Sequence, residues 1–179
     1  MNIQINRLST GNKQEIIELF QNTFSDSEGE TEGELLGALT ADLSDMLGSE
    51  SVSCLGAFAS DKLIAAIFLT DLIFQQDFKV KMLAPVAVRT DFQRKGVGQK
   101  LILNAMQSLQ ASGVDLLVTY GDPNYYCKVG FQAMSEQDIP APMPLSMPIG
   151  WLGKTLNNPI PSDLTTPSCV EPFTNQNLW

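Results

Sequence analysis

Three strand-like runs stand almost back to back in this chain: Val52–Ala59, Leu63–Phe74 and Lys79–Val88. The turn Ser60-Asp61-Lys62 joins the first two, and a second turn around Asp77 joins the last two. Runs so rich in Val, Ile, Leu and Phe, with so few residues between them, fold back on one another as a meander. The third run does not enter another hairpin. It leads into Gln93-Arg94-Lys95-Gly96-Val97-Gly98, and then into a stretch with Val97, Leu101, Ile102, Ala105, Met106 and Leu109 at helical spacing, ended by Gly113. A sheet that hands over to an amphipathic helix must lay that helix on one of its faces.

The flanking segments fit the same plan. Asn2–Arg7 alternates Ile3 and Ile5 with polar residues and reads as a strand; Asn12–Phe24 and Leu35–Leu47 read as amphipathic helices, with the polar, Gly-containing Ser25–Gly33 as a loop between them. Beyond the central helix, Val114–Tyr120 reads as a buried strand. Asp122-Pro123 opens a short helix, with Asp as cap and Pro in the first position, and Phe131–Met134 begins another strand. The expected fold is a mixed α/β (α+β) domain, a mostly antiparallel twisted sheet of about six or seven strands flanked by helices on both faces. Eight of the ten prolines lie between Pro140 and Pro172. Residues 1–138 are therefore expected to form the core, and 139–179 an extension packed on it, with a strand near Met147–Thr155.

Composition removes several function classes. With 179 residues the chain suits one domain. It has no histidine, which eliminates His-dependent triads and HExxH zinc sites. Cys54, Cys127 and Cys169 are odd in number and form no CxxC pair, so neither a disulfide framework nor a metal site is expected. The longest fully apolar run, Leu63–Leu69, is too short to span a bilayer, and the first ten residues lack a signal-peptide run. A cytoplasmic protein with no membrane partner is the expectation. The net charge of −9 argues against a nucleic-acid partner. No Lys or Arg occurs from Gln14 to Asp61, whereas Arg89, Arg94, Lys95 and Lys100 cluster against Asp91 alone. An anionic ligand on the basic segment and a cationic one elsewhere would suit this division; ordinary solvated surface would suit it too.

The segment Gln93–Gly98 has the makings of an anion cradle. N–H groups at a helix start lack intrahelical acceptors, the helix dipole favours negative charge, and Gly96 and Gly98 clear side chains from the backbone. Many Gly-containing turns of this kind bind nothing. The spacing fits neither GxGxxG nor GxxxxGK[ST]. Pro85 interrupts the run before it. A proline there either punctuates an edge or bends the strand from its neighbour, leaving Val86, Ala87 and Val88 with free backbone groups that an extended amide-bearing ligand could pair with.

Together these residues resemble a known family. Leu83-Ala84-Pro85-Val86-Ala87-Val88, then Gln93-Arg94-Lys95-Gly96-Val97-Gly98, is similar to the acetyl-CoA signature of the GNAT N-acetyltransferases, Q/R-x-x-G-x-G/A. Tyr125-Tyr126-Cys127-Lys128-Val129-Gly130-Phe131 is similar to that family's F/Y-Y-x-x-x-G-F, and Gly121-Asp122-Pro123-x-Tyr-Tyr resembles a bacterial subgroup of it. The resemblance implies acetyl-CoA as co-substrate, without a metal. It implies backbone contacts from Val86, Ala87 and Val88 to pantetheine, a pyrophosphate wrapped by Gln93, Arg94, Lys95, Gly96, Val97 and Gly98, and Tyr126 as general acid toward the departing thiolate. A phenol, with a reference pKa of ~10, is neutral and able to donate at neutral pH.

Two positions depart from the family pattern. Where many members carry Asn, seven residues before the tyrosine, this chain has Thr119, so that CoA contact is not carried over. No Glu lies on Lys79–Val88, where some members keep a base; Asp71 or Asp77 would have to serve, or the amine would have to arrive neutral. Cys127 has no base specified to activate it, so transfer is expected to be direct. The resemblance implies a primary amine as acceptor, and the acidic first two helices suggest a cationic one, either a small amine or a peptide amine. The rival reading is a catalytically silent acetyl-CoA-binding sensor or regulatory module. The oligomeric state, a homodimer included, is open.

Overall fold

The first turn of the meander sets its geometry. In the computed structural model, which describes residues 2–179, β2 (Val52–Ala59) and β3 (Lys62–Ile73) are joined by Ser60 and Asp61 alone. Both residues have positive φ, 48° and 60°. A two-residue hairpin needs this backbone for its twist to match that of the strands. β4 (Val80–Val88) completes the meander, and β1 (Gln4–Arg7) pairs antiparallel with β2, Gln4 opposite Phe58. β5 (Leu116–Tyr120) lies parallel to β4, and the long connection this demands is the helix α3 (Val97–Ala111).

β7 (Trp151–Thr155) pairs antiparallel with both β5 and β6 (Gln132–Ala133). The strand order is β1-β2-β3-β4-β5-β7-β6, with the two-residue β8 (Ser168–Cys169) antiparallel to the end of β3. The sheet is thus mixed and mostly antiparallel, as expected. Its later strand β7 is inserted ahead of β6, which the order of runs along the chain does not disclose.

The chain divides into two compact units, Met1–Leu69 with Pro85–Ile102, and Thr70–Ala84 with Leu103–Trp179. In the first, α1 (Lys13–Glu28) buries Ile16, Leu19 and Phe20, and the ring of Phe20 lies 5.9 Å from that of Phe68 on β3. The second helix, α2 (Glu30–Asp45), buries Leu36, Leu39 and Leu43. Each such side chain removed from water stabilises the fold by ~1.5–3 kcal/mol.

The expected loop Ser25–Gly33 is not a loop. α1 runs to Glu28, α2 begins at Glu30, and Gly29 alone, at φ 101°, breaks the helix. Two local features explain the correction. Ser27 donates its hydroxyl to the Thr23 carbonyl, so a polar residue supports the last turn rather than fraying it. Glu30 and Glu32 fall in the first turn of α2, where the helix dipole favours negative charge.

In the second unit the Pro-rich segment is anchored by aromatic rings. Trp151 is fully buried and donates its indole N–H to the Ile139 carbonyl at 2.8 Å. Trp179 donates to the Phe173 carbonyl at 2.8 Å and packs on Tyr120 and Trp151. The Tyr120 hydroxyl accepts from the Met147 N–H at 2.7 Å. The strand expected near Met147–Thr155 starts only at Trp151, because Pro148–Gly150 is a 3-10 turn. Among the described residues no helix is long and apolar enough to cross a membrane.

Candidate active site

In the first unit the site begins with the second half of β4. The β4–β5 ladder pairs Val80 with Leu116, Lys81 with Leu117 and Met82 with Val118, and goes no further, although β4 continues to Val88. The strand therefore loses its β5 partner just ahead of Pro85, the residue that marked the break in the sequence. Val86 and Val88 are half-buried, and Ala87 between them is buried. Their groups are not all free: the Gln93 side-chain amide donates to the Val88 carbonyl at 3.0 Å. That contact corrects the expectation of an open row of backbone groups, and it ties the turn to the strand.

The turn itself is bent by two left-handed residues, Arg94 at φ 58° and Gly96 at φ 75°. Gln93 to Gly96 are exposed, while Val97 and Gly98 are buried as α3 begins. A Cβ on Gly96 would meet nothing within 4 Å, so the backbone there faces open space. The Lys100 N–H donates to the Gly96 carbonyl at 3.0 Å. The N–H groups of Val97, Gly98 and Gln99 precede that bond and have no intrahelical acceptor.

The basic residues do not all face outward. Arg89 is held by Asp91 through two contacts, 3.1 and 2.9 Å. Lys95 donates to the Asp91 carbonyl at 2.7 Å and sits over the Phe92 ring, as does Arg89. Arg94 makes no salt bridge among the described residues. Beside this turn, Glu15, Glu18, Asp26, Asp61 and Asp91 line a cleft of about 550 Å³ with Lys62 and Arg89. The acidic charge of α1 is concentrated there.

The second unit holds Tyr126, the last residue of α4 (Pro123–Tyr126). Asp122 caps this turn, its carboxylate accepting the Asn124 N–H at 2.9 Å, and Pro123 occupies the first helical position. The ring of Tyr126 is packed edge-on against Tyr125 at 5.0 Å and Phe131 at 5.6 Å. Burial pushes the phenol up to about 12; the Thr119 side chain works the other way, and nearby Tyr125 and Asp122 add to the rise. The group is thereby kept protonated.

Sequence reasoning gave no site role to two residues on either side of Tyr120, just ahead of Tyr126. Thr119 is fully buried and donates its hydroxyl to the Leu83 carbonyl at 2.7 Å. A polar residue in the otherwise apolar run Leu116–Tyr120 was the available signal. Gly121 lies where a Cβ would come within 2.7 Å of the Tyr126 ring. Of the two candidate bases, Asp71 is bound to Lys81 at 2.6 Å and Asp77 is exposed. Cys127, next to Tyr126, is an exposed free thiol.

Solved structures share this architecture. YhbS from Escherichia coli, described as a GNAT family N-acetyltransferase in complex with CoA, superposes with a TM-score of 0.71 at 21% identity, covering 88% of this chain and 83% of that one. A GNAT family acetyltransferase from Brucella melitensis, in complex with acetyl-CoA, gives 0.67 at 21% identity, over 91% and 94%. The fold is that of the GNAT acetyltransferases.

Sequence likeness takes the assignment from fold to family. Residues 4–134 match the Acetyltransferase (GNAT) domain, and the chain belongs to that family. YhbS of Escherichia coli (strain K12), named an uncharacterized N-acetyltransferase, is 30% identical over 64 residues, 36% of this chain and 38% of that protein. YjhQ of the same strain, also named an uncharacterized N-acetyltransferase, is 28% identical over 118 residues, 64% of this chain and 63% of that protein. These matches span less than two thirds of the relatives' own lengths.

Proposed function

We propose that this protein transfers the acetyl group of acetyl-CoA directly to a primary amine, with Tyr126 as general acid. The observation that carries the reading is the state of Tyr126: a half-buried phenol, fixed by rings on two sides and held protonated. The family assignment supports it.

The residues present fit acetyl-CoA. β4 runs on past the end of its ladder with β5, so Val86, Ala87 and Val88 would meet the amides of pantetheine as an added strand would. Gln93, Arg94, Lys95, Gly96, Val97 and Gly98 would wrap the pyrophosphate. The open space at Gly96 and the N–H groups of Val97 to Gln99 suit an anion. When bound, acetyl-CoA supplies an activated acyl group and a thiolate leaving group. Tyr126 then gives its proton to that sulfur: the phenol O–H bond breaks as the S–H bond forms.

The acceptor amine must be neutral to attack, and an alkyl ammonium has a pKa of ~10. Asp71 is engaged by Lys81, which favours an amine that arrives already deprotonated over one stripped by this carboxylate. The acidic lining around Glu15, Glu18 and Asp26 supports a cationic acceptor, either a small amine or a peptide amine, through long-range attraction. An acceptor preference of that origin weakens with added salt and with loss of acceptor charge.

The test is thiol release from acetyl-CoA against a panel of amines that includes peptides, with wild type and Tyr126→Phe. The expected result is turnover with at least one amine, reduced by 10²–10⁴-fold in the variant while acetyl-CoA still binds. Acetyl-CoA binding without turnover on any amine would make the protein a sensor or regulatory module and overturn the reading.

A further inference from the structure

The cleft beside α1 carries negative charge that the fold leaves uncompensated. Glu15, Glu18 and Asp26 recur on one face of the helix, and Asp61 joins them from the β2–β3 turn. Neutral groups hold three of these carboxylates: Asn12 donates to Glu15 at 3.2 Å, Gln14 to Glu18 at 2.8 Å, and the Thr90 hydroxyl to Asp26 at 2.6 Å. Such bonds fix a carboxylate without neutralising it. None of the four makes a salt bridge among the described residues. Of the two cations in the wall, Arg89 is taken by Asp91, which leaves Lys62 alone against four carboxylates.

These carboxylates do not converge on one point. Among the described residues no three His, Cys, Asp or Glu side chains are grouped closely enough to hold a metal ion. Along the helix axis Glu15 and Asp26 are about 16 Å apart, at 1.5 Å per residue. Between them the cleft has an apolar base, the buried Leu19 and Leu63. Thr23 is a separate sign of a ligand. It is 8% exposed, it lines the cleft, and its hydroxyl has no hydrogen-bond partner among the described residues. Buried hydroxyls in folded proteins are hydrogen-bonded, so this one calls for a partner from the cleft. Separated negative charges, an apolar base and a hydroxyl between them match ammonium groups spaced along a methylene chain.

We propose that this cleft binds a linear aliphatic polyamine, its ammonium groups on the carboxylates and its methylenes over Leu19 and Leu63, and that the bound polycation strengthens acetyl-CoA binding at the neighbouring loop. The coupling follows from a shared wall. Asp91 lines the cleft, and its carbonyl accepts from Lys95 of the loop Gln93–Gly98. The excess negative charge of the cleft repels an anion on that loop, and a bound polycation cancels the repulsion. By linkage, the coenzyme strengthens polyamine binding by the same factor. The coupling rests on the reading of Gln93–Gly98 as the pyrophosphate loop; the cation site does not. Occupancy of the cleft is a binding event and needs no acetyl transfer.

Isothermal titration calorimetry on the full chain reads both effects without turnover. Spermidine, butylamine and Mg²⁺ are the cation probes, and CoA, which carries no acetyl group, is the ligand for the loop. The variants are paired Glu15→Gln and Glu18→Gln, single Thr23→Val, and paired Glu34→Gln and Asp42→Asn, which make the same charge change on α2 outside the cleft. Spermidine is expected to bind about 10-fold or more tightly than butylamine or Mg²⁺, and to lose about 10-fold or more in the Glu15 and Glu18 pair. It should lose about 3-fold or more in Thr23→Val and stay within about 2-fold of wild type in the α2 pair. Saturating spermidine should raise CoA affinity about 3-fold or more, and the Glu15 and Glu18 pair should reduce that gain.

Equal losses in the cleft and α2 pairs would mean unspecific attraction to an acidic surface and would overturn the site. Unchanged spermidine affinity in the Glu15 and Glu18 pair, or butylamine or Mg²⁺ binding as tightly as spermidine, would overturn it too. Spermidine binding that leaves CoA affinity unchanged overturns the coupling. If CoA itself does not bind, the donor reading fails, and the spermidine titrations still decide the cleft. If Thr23→Val does not fold, as its melting temperature shows, Thr23→Ala replaces it.

Discussion

Gly121 is kept bare by the ring of Tyr126: a Cβ at position 121 would lie 2.7 Å from Cε2 of the tyrosine. The glycine has no unusual φ to explain it, so the requirement is one of space. Gly121→Ala must push the ring, and with it the hydroxyl proposed to donate the proton. Overpacking of this kind costs about 1–3 kcal/mol of stability. A misplacement of the order of 1 Å at a reacting group can cost ~10²-fold in rate. The expected outcome is a fall in kcat larger than the fall in acetyl-CoA affinity, read by steady-state kinetics beside a binding titration. Unchanged kcat in a folded Gly121→Ala protein would remove the steric role.

Gly33 and Gly37 make opposite predictions from the same helix. An alanine in a helix interior ordinarily gains about 0.5–1 kcal/mol over glycine. At Gly33 a Cβ would overlap the Ser25 hydroxyl and lie 2.6 Å from the Gln21 carbonyl, so α1 and α2 would have to separate. At Gly37 the nearest atom is the end of the Gln21 side chain at 3.3 Å, which can swing away. Gly33→Ala should therefore lower stability by roughly 1–3 kcal/mol, and Gly37→Ala should be neutral or mildly stabilising. Denaturant midpoints of the two variants check the ranking, which fails if Gly33→Ala is the more stable.

Asp115 links stability to pH in the second unit. It is 5% exposed, yet its carboxylate accepts from the Lys79 N–H at 2.9 Å and from the Asn158 amide at 2.6 Å. Burial alone would raise this carboxyl, but these hydrogen bonds, with the charge of Lys79, hold it below the usual carboxylate range. A carboxyl depressed in the folded state stabilises the fold fully above its unfolded pKa of ~3.9, and that contribution is lost as pH falls through the folded value. Asp115→Ala should cost roughly 1–3 kcal/mol at neutral pH and less under acid. Melting temperature against pH for the two proteins should converge at low pH; parallel curves would contradict the linkage.

How much of this was legible in the sequence depends on the range of the forces involved. Hairpin turns, helix faces and the Asp122-Pro123 start are local, and β2, β3, β4 and α3 lie within a few residues of where periodicity places them. The placement of β7 between β5 and β6 is a long-range choice made by packing around Trp151, and β8 is two residues held only by β3. The helix pair α1–α2 was misread because Gly33 signals a loop by propensity and serves a close approach by packing. At the site, motif residues stood out because backbone conformation demands them, as at Gly96. The partner of the Thr119 hydroxyl did not, since it is a carbonyl thirty-six residues away that no spacing rule connects to it.

The pH dependence of turnover follows from two groups that move apart. The acceptor amine gains reactivity as its ammonium, pKa ~10, gives up its proton, so kcat/KM should rise with slope near one from about pH 6 to 9. Tyr126 must stay protonated to act as acid, and burial pushes its phenol up to about 12. No falling limb from this residue is therefore expected within the working range. Thiolate release should itself depend less on an acid once the pH passes the thiol's own value of ~8.5. The rate ratio of wild type to Tyr126→Phe should accordingly be largest near pH 7 and narrow toward pH 9.5. The measurement is a pair of pH–rate profiles with one amine acceptor. A wild-type profile that falls between pH 8 and 9 would mean a different group supplies the proton, and a constant ratio across the range would mean that Tyr126 shapes the pocket without donating to sulfur.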